Sequence, residues 1–152
     1  MSRYANGTSV PIDRSKAEIE RTLTRYGAEK FAYMSEQDRA QIAFQFKGRA
    51  IRMKLDLPRP NDFAKTEKGR PRPPAAQVSE CDKAIRQKWR ALLLVIKAKL
   101  EAIEAGVSTF ETEWLPWVVL PNGRTVAEHI GPQIAEGKIP STLMLTMDED
   151  ER

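Results

Sequence analysis

The sequence of 152 residues contains a single cysteine, Cys81, and a single histidine, His129, and these shortages exclude several classes of protein. One thiol cannot form an internal disulfide, so a disulfide-stapled scaffold is excluded. One histidine excludes metal sites built on histidine pairs and leaves only one imidazole for a catalytic triad. Both residues fall in predicted amphipathic helices and are interpreted as structural. We therefore predict a protein without catalytic residues, metal or cofactor.

Long apolar runs and phosphate-binding loops are missing as well. The longest uninterrupted apolar run is the six residues from Ala91 to Ile96, whereas a membrane-spanning helix needs about 20. The sequence has no G-x-x-x-x-G-K-[ST] pattern, which argues against nucleotide hydrolysis by a P-loop mechanism. No apolar stretch follows Met1, so no secretory signal is predicted, and with a free thiol this indicates a reducing cytoplasm.

Positive charge is present, but it is distributed unevenly along the chain. The formal net charge is only +4, which conceals three blocks of different sign. Residues 1–38 are neutral, residues 39–99 carry a net charge of +11, and residues 100–152 carry −7. Such asymmetry is typical of a protein whose basic region faces a polyanion.

The first half of the chain predicts an α-β-β-β unit within an α+β fold. Residues 1–14 are expected to be an irregular lead-in, followed by a helix from about Lys16 to Tyr26. Alternating apolar and polar residues then predict a three-stranded antiparallel meander that places Arg52 and Lys54 on its solvent face. The three predicted strands are residues 31–34, 41–47 and 50–57.

The second half predicts a long central helix and a small helical cap. Apolar residues recur at spacings of three and four over about residues 75–105, which predicts one helix. Leu93, Leu94 and Val95 fill further faces, so the middle of this helix is expected to be buried on most sides. The remaining predicted elements are a short helix to about Leu115, a strand over 117–120, a helix broken near Gly131–Pro132, and an acidic tail over 141–152. The single domain is predicted to cover residues 15–140.

A basic, proline-rich loop over residues 58–74 joins the strands to the long helix. It holds five prolines and five basic residues, and it offers too little apolar surface to become ordered alone. Phe63 is the best candidate for stacking on a nucleic-acid base, because nothing nearby in sequence would bury it. Phe44 and Phe46 lie on the apolar face of a strand and are interpreted as core residues.

The basic middle block predicts a nucleic-acid-binding surface, because each contact between a cation and a phosphate releases condensed counterions. The alternative, that these side chains simply form solvated faces, stays open, since no sequence motif supports the prediction. The predicted contact residues are Arg49 near the turn before the third strand, Arg52 and Lys54 on that strand, Phe63, Arg70 and Arg72 in the loop, and Lys83, Arg86, Arg90 and Lys97 on the long helix.

Several segments of the chain resemble small proteins encoded by tailed bacteriophages and prophages. The similar segments are residues 25–28, 48–52, 87–106 and 117–126, and the resemblance spans most of residues 15–140. Members of that group have no assigned activity. The resemblance therefore implies a phage origin and a location in the host cytoplasm, and it adds no catalytic residues.

A phage origin leaves two classes of function. The first is non-enzymatic binding of nucleic acid, single-stranded DNA above all, in phage DNA replication or recombination. The alternative is an anti-defence or host-takeover protein that inhibits a host protein or sequesters a nucleotide signal. A homo-oligomer formed through strand pairing or the long helix stays open. The acidic tail either folds back on the basic block or docks on a host or phage protein, with Leu143, Met144, Leu145 and Met147 as anchors.

Overall fold

Two long helices cover one face of a three-stranded antiparallel sheet, and two short helices lie beyond the third strand. The computed structural model describes residues 2–137, with side chains from Ile12 onward. This arrangement confirms the predicted α+β fold. The elements are α1 (Ser2–Arg25), β1 (Glu29–Ser35), β2 (Arg39–Phe46), β3 (Arg49–Asp56), α2 (Pro74–Glu104), α3 (Phe110–Trp114) and α4 (Val126–Glu136), with short 3-10 turns at Pro60–Phe63 and Leu115–Trp117.

The sheet has the order β1-β2-β3, with both pairs antiparallel. Strands β2 and β3 are joined by the two-residue turn Lys47–Gly48, whose φ angles are +49° and +72°. Two positive φ angles give the turn whose twist matches that of the flanking strands. Since Ile42 pairs with Met53, the apolar residues of the two strands share one face of the sheet.

The core lies between that apolar face and the helices α1 and α2. Ile19 of α1 and Ile96 of α2 are fully buried in the same cluster as Phe44 and Phe46, which confirms the interpretation of these two phenylalanines. The Phe46 ring packs edge-on against Phe110 of α3, with 4.9 Å between ring centroids. The remaining buried members include Leu23, Ile42, Ile51, Met53, Trp89, Leu92, Leu93, Leu100 and Trp114.

Helix α1 begins much earlier than the sequence predicts. It runs from Ser2, so residues 2–14 are helical rather than an irregular lead-in, and Pro11 lies within the helix. Ile12 packs against the core about two turns before Ile19 and extends the apolar stripe of the helix. The tertiary contact outweighs the helix-breaking signals of Gly7 and Pro11, which are local in origin.

Helix α2 has the predicted length, but its middle is more exposed than expected. Leu93 is buried, whereas Leu94 and Val95 are 57% and 44% exposed. The sheet and α1 cover only part of the surface of α2, so these two residues keep a large exposed fraction. None of the described helices is long and apolar enough to cross a membrane.

The basic loop before α2 is ordered by backbone hydrogen bonds. The Thr66 and Arg72 amides donate to the carbonyls of Arg70 and Ala64, both at 2.8 Å. The Cys81 thiol of α2 donates to the Pro58 carbonyl at 3.2 Å, and burial raises the pKa of this thiol. Hydrogen bonds between polar groups thus order this loop, because its sequence offers little apolar surface to bury.

The helix α4 continues through Pro132 instead of breaking there. A proline lacks the N–H that would bond the carbonyl four residues earlier, here that of Glu128. The Arg124 guanidinium donates to the Glu128 carbonyl at 2.6 Å and so replaces the missing bond. The predicted strand over 117–120 is reduced to two isolated bridges, Val118 with Ile51 and Val119 with Thr125.

Candidate nucleic-acid interface

The predicted contact residues lie in three separate places. Arg52 and Lys54 lie on the face of the sheet opposite α1 and α2, because they alternate with Ile51 and Met53, which face the core. Arg49 shares the face of Ile51 and contacts α3 instead. The predicted contact residues of α2 lie on the helical layer, on the other side of the sheet. The residues of the loop lie beside the beginning of α2. The three groups therefore do not form one continuous groove.

On β3, the cations have partners inside the protein. Glu128 of α4 accepts hydrogen bonds from Lys54 at 2.6 Å and from Arg52 at 3.0 Å, and Arg52 also donates to the Gly123 carbonyl at 2.9 Å. Glu128 completes the predicted capping box with Thr125 as well. The Lys54 hydrogen bond, the Thr125 backbone amide and the charges of Lys54 and Arg52 lower the pKa of Glu128 to about 2.

Arg49 also has a partner inside the protein, a carboxylate on the short helix α3. Its guanidinium lies 3.0 Å from a Glu111 carboxylate oxygen, and its central carbon is 5.4 Å from the centre of the Phe110 ring. The bond from Arg49 holds the pKa of Glu111 below its usual range. Arg49, Arg52 and Lys54 thus connect the C-terminal helices to the sheet through ion pairs, and their role as phosphate contacts stays a prediction.

The loop residues are divided between structural and exposed positions. The Arg72 guanidinium donates to the carbonyls of Lys65 at 2.7 Å and Phe63 at 3.3 Å, so it organises the loop that contains it. Phe63 is half-buried rather than free to stack. Arg70 is exposed, and among the described side chains it has no carboxylate partner within 4.0 Å.

The four residues of α2 lie together in a groove between α1 and α2. The two helices run in the same direction, since Glu18 pairs with Lys97 and the Tyr26 hydroxyl donates to Glu104 at 2.6 Å. The groove has a volume of about 440 Å³. Its lining is Arg14, Ser15 and Glu18 from α1, and Lys83, Arg86, Gln87, Arg90, Leu93, Leu94 and Lys97 from α2.

Five cations and one carboxylate line this groove. Glu18 pairs with Lys97, and this hydrogen bond, with the charges of Lys97, Arg21 and Arg90, lowers the pKa of Glu18. The other four cations have no carboxylate within 4.0 Å among the side chains of residues 12–137. They are Arg14, Lys83, Arg86 and Arg90.

Arg14 is the groove residue that the sequence did not indicate. It falls in the stretch that was expected to be irregular, so it was not assigned to a helix face. The signal was nevertheless present, because Arg14, Glu18, Arg21 and Arg25 recur at spacings of four, three and four and so share one helical face.

The groove can hold a phosphate chain, and its apolar lining can contact less polar groups. Lys83 and Lys97 are 14 residues apart, which is about 21 Å along a helix at about 1.5 Å per residue. Leu94 lines the groove beside the basic residues of α2, and its side chain is exposed. Within residues 12–137, no group of three or more His, Cys, Asp and Glu side chains is placed to hold a metal ion.

Comparison of the chain with protein-family models, with curated proteins and with solved structures finds no match. The candidate interface is therefore argued from its geometry and charge alone.

Proposed function

We propose that this protein binds nucleic acid without catalysis, through the groove between α1 and α2. The observation that supports the proposal is the row of cations in this groove that have no carboxylate partner among the described side chains: Arg14, Lys83, Arg86 and Arg90. Cations that are already paired must give up a partner to bind phosphate, whereas these exchange only water and counterions. The proposed setting is phage DNA replication or recombination in the host cytoplasm, because the sequence resembles phage proteins.

The shape of the groove favours single-stranded DNA as the ligand. Duplex DNA is read by convex elements, such as a helix that enters the major groove. A concave basic channel instead suits a single strand, whose backbone follows the cations while its bases rest on less polar surface. Leu94 supplies such surface directly beside Arg90, and it is 57% exposed.

The test is fluorescence anisotropy of a labelled 30-base oligonucleotide at about 50 mM salt. Substitution of Arg86→Glu with Arg90→Glu is expected to weaken binding more than tenfold, because two phosphate contacts become repulsive. The matched control is Lys65→Glu with Lys68→Glu, which changes the net charge equally on the exposed loop. We expect this control to change affinity less than threefold.

Two results would reject the proposal. The first is an unmodified protein that does not bind the oligonucleotide at low salt. The second is equal weakening by the groove variant and the loop variant, since binding would then depend on total charge rather than on the groove. Thermal unfolding should show the same Tm for all three proteins within about 2 °C, because none of the four substituted side chains has an ion-pair partner among those described.

The dimensions of the groove also support the alternative of a nucleotide signal as ligand. A volume of about 440 Å³ lies in the usual range of small-molecule sites, about 300 to 1,000 Å³. Competition separates the two ligands: a free nucleotide that displaces the oligonucleotide at micromolar concentration favours capture of a signal. Displacement of the oligonucleotide only at millimolar nucleotide concentration favours single-stranded DNA as the ligand.

A further inference from the structure

The groove between α1 and α2 combines two kinds of surface that one segment of this chain complements. Its row of unpaired cations lies beside an apolar strip on α2, made of Ala91, Leu94, Val95 and Ala98. Leu94 and Val95 are each more than 40% exposed, which is unusual for large apolar side chains so close together. A ligand that covers both surfaces needs apolar side chains and negative charge in close succession.

Residues 143–151 have this composition. The apolar residues Leu143, Met144, Leu145 and Met147 are followed directly by the acidic run 148–151. This segment lies outside the described residues, and it contains the only four consecutive acids in the sequence. The number of acids equals the number of unpaired cations in the groove.

The connection is long enough for the segment to reach the groove. The described chain ends with Gly137, and the docking segment begins at Leu143, six residues further on. An extended connection of that length spans about 20 Å, at about 3.3 Å per residue. One helical layer packed on one sheet is also about 20 Å thick, since packed layers lie about 10 Å apart. An extended connection can therefore pass from α4 to the opposite layer.

We propose that residues 143–151 dock into the groove between α1 and α2, with the acidic run on the cations and the apolar residues on the strip around Leu94. The segment then acts as an internal competitor of the groove's ligand. Docking itself does not depend on the identity of that ligand. Its effect on DNA affinity rests on the proposed function.

Paramagnetic broadening tests the docking without nucleic acid. A nitroxide label is attached to Arg152→Cys, which keeps all four acids, and amide signals are recorded in the full-length protein. Cys81 is only 3% exposed, so wild-type protein treated with the same label serves as the control for unwanted labelling. We expect strong broadening at Ser15, Arg90 and Leu94.

The proposal is overturned if these amides are unaffected, or if Ala43 and Gln45 on the outer face of the sheet broaden equally. It is also overturned if the broadening occurs only between molecules, which a mixture of labelled and isotope-enriched protein reveals. The variant Arg86→Glu with Arg90→Glu should remove the broadening at the groove. Broadening that persists in this variant would show that the cations do not hold the segment.

Oligonucleotide binding then tests the competition. Neutralising the acids by D148N/E149Q/D150N/E151Q should tighten binding about fivefold at low salt, as expected if the segment occupies the groove about 80% of the time. The control E29Q/D56N/E67Q/E136Q changes the net charge equally at exposed positions elsewhere. Equal tightening by both variants would reject competition. No binding by any variant would reject the proposed function while leaving the broadening result to decide the docking.

Discussion

The basic residues of β3 and those of α2 have the same charge and come from the same +11 block of sequence, yet they differ in their partners. Arg52 and Lys54 share Glu128, which belongs to the acidic block that follows residue 100. Arg86 and Arg90 face α1, whose Glu18 reaches only Lys97. A charge count treats both groups alike, whereas the fold neutralises one and leaves the other available. The difference shows that the charge of a stretch of sequence does not say which of its cations the fold pairs with acids.

Breaking the ion pairs of β3 is expected to have the largest effect on stability. Glu128→Ala removes the carboxylate that accepts from the Thr125 amide and leaves Arg52 and Lys54 without their partner, while the Thr125 hydroxyl still accepts from the amide of residue 128. Loss of the bond from the Thr125 amide costs about 1 kcal/mol, and loss of the half-buried pair with Arg52 costs about as much again. We expect the free energy of unfolding to fall by about 2 kcal/mol, measured by urea denaturation.

Glu136→Gln, an exposed change on the same helix, is the control and should be neutral. An unchanged free energy of unfolding for Glu128→Ala would show that the ion cluster on β3 contributes nothing. The strand cations would then be as available for ligands as those of the groove.

A pair of single substitutions contrasts the two groups directly. Arg52→Gln should lower the free energy of unfolding by about 1 kcal/mol, which is about 3 °C in Tm, and leave oligonucleotide affinity unchanged. Arg90→Gln should leave Tm unchanged and reduce the slope of log affinity against log salt by about 0.7, the value for one phosphate contact on a single strand.

The measurements are thermal unfolding and a salt titration of anisotropy, both applied to both variants. The comparison between the groups fails if Arg52→Gln lowers the salt slope as much as Arg90→Gln does. It fails equally if Arg90→Gln is the less stable of the two variants.

The pH dependence of stability tests the same contacts of Glu128 without relying on the salt titration. The pKa of Glu128 is about 2 in the folded protein against a usual value of 4.5. Between these values the unfolded chain takes up a proton that the folded protein does not, so stability rises with pH. The contribution is complete above about pH 4.5 and is lost as the pH falls toward 2. The gap in Tm between wild type and Glu128→Gln should therefore be widest above pH 5 and close toward pH 2, and a constant gap would contradict this assignment.

Much of the fold follows from local pattern. The alternation around Phe44 predicts β2, the glycine after Lys47 predicts the tight turn, and the spacing of apolar residues predicts α2 to within one or two residues. These signals are local because side chains of strands and helices repeat with fixed periods. The early start of α1 and the unbroken α4 were not predicted, because Ile12 and Arg124 stabilise them through particular contacts rather than through pattern.

The sequence by itself determined the elements, their order and the total of the charges. Only the tertiary structure decided which charges are available, because pairing depends on distance, and distance between remote residues is set by packing. Arg52 and Glu128 are 76 residues apart in sequence and 3.0 Å apart in space. Arg14 and Arg90, equally remote in sequence, line the same groove. The first contact gives Arg52 a partner inside the protein, and the second brings into the groove a cation, Arg14, that the sequence did not indicate.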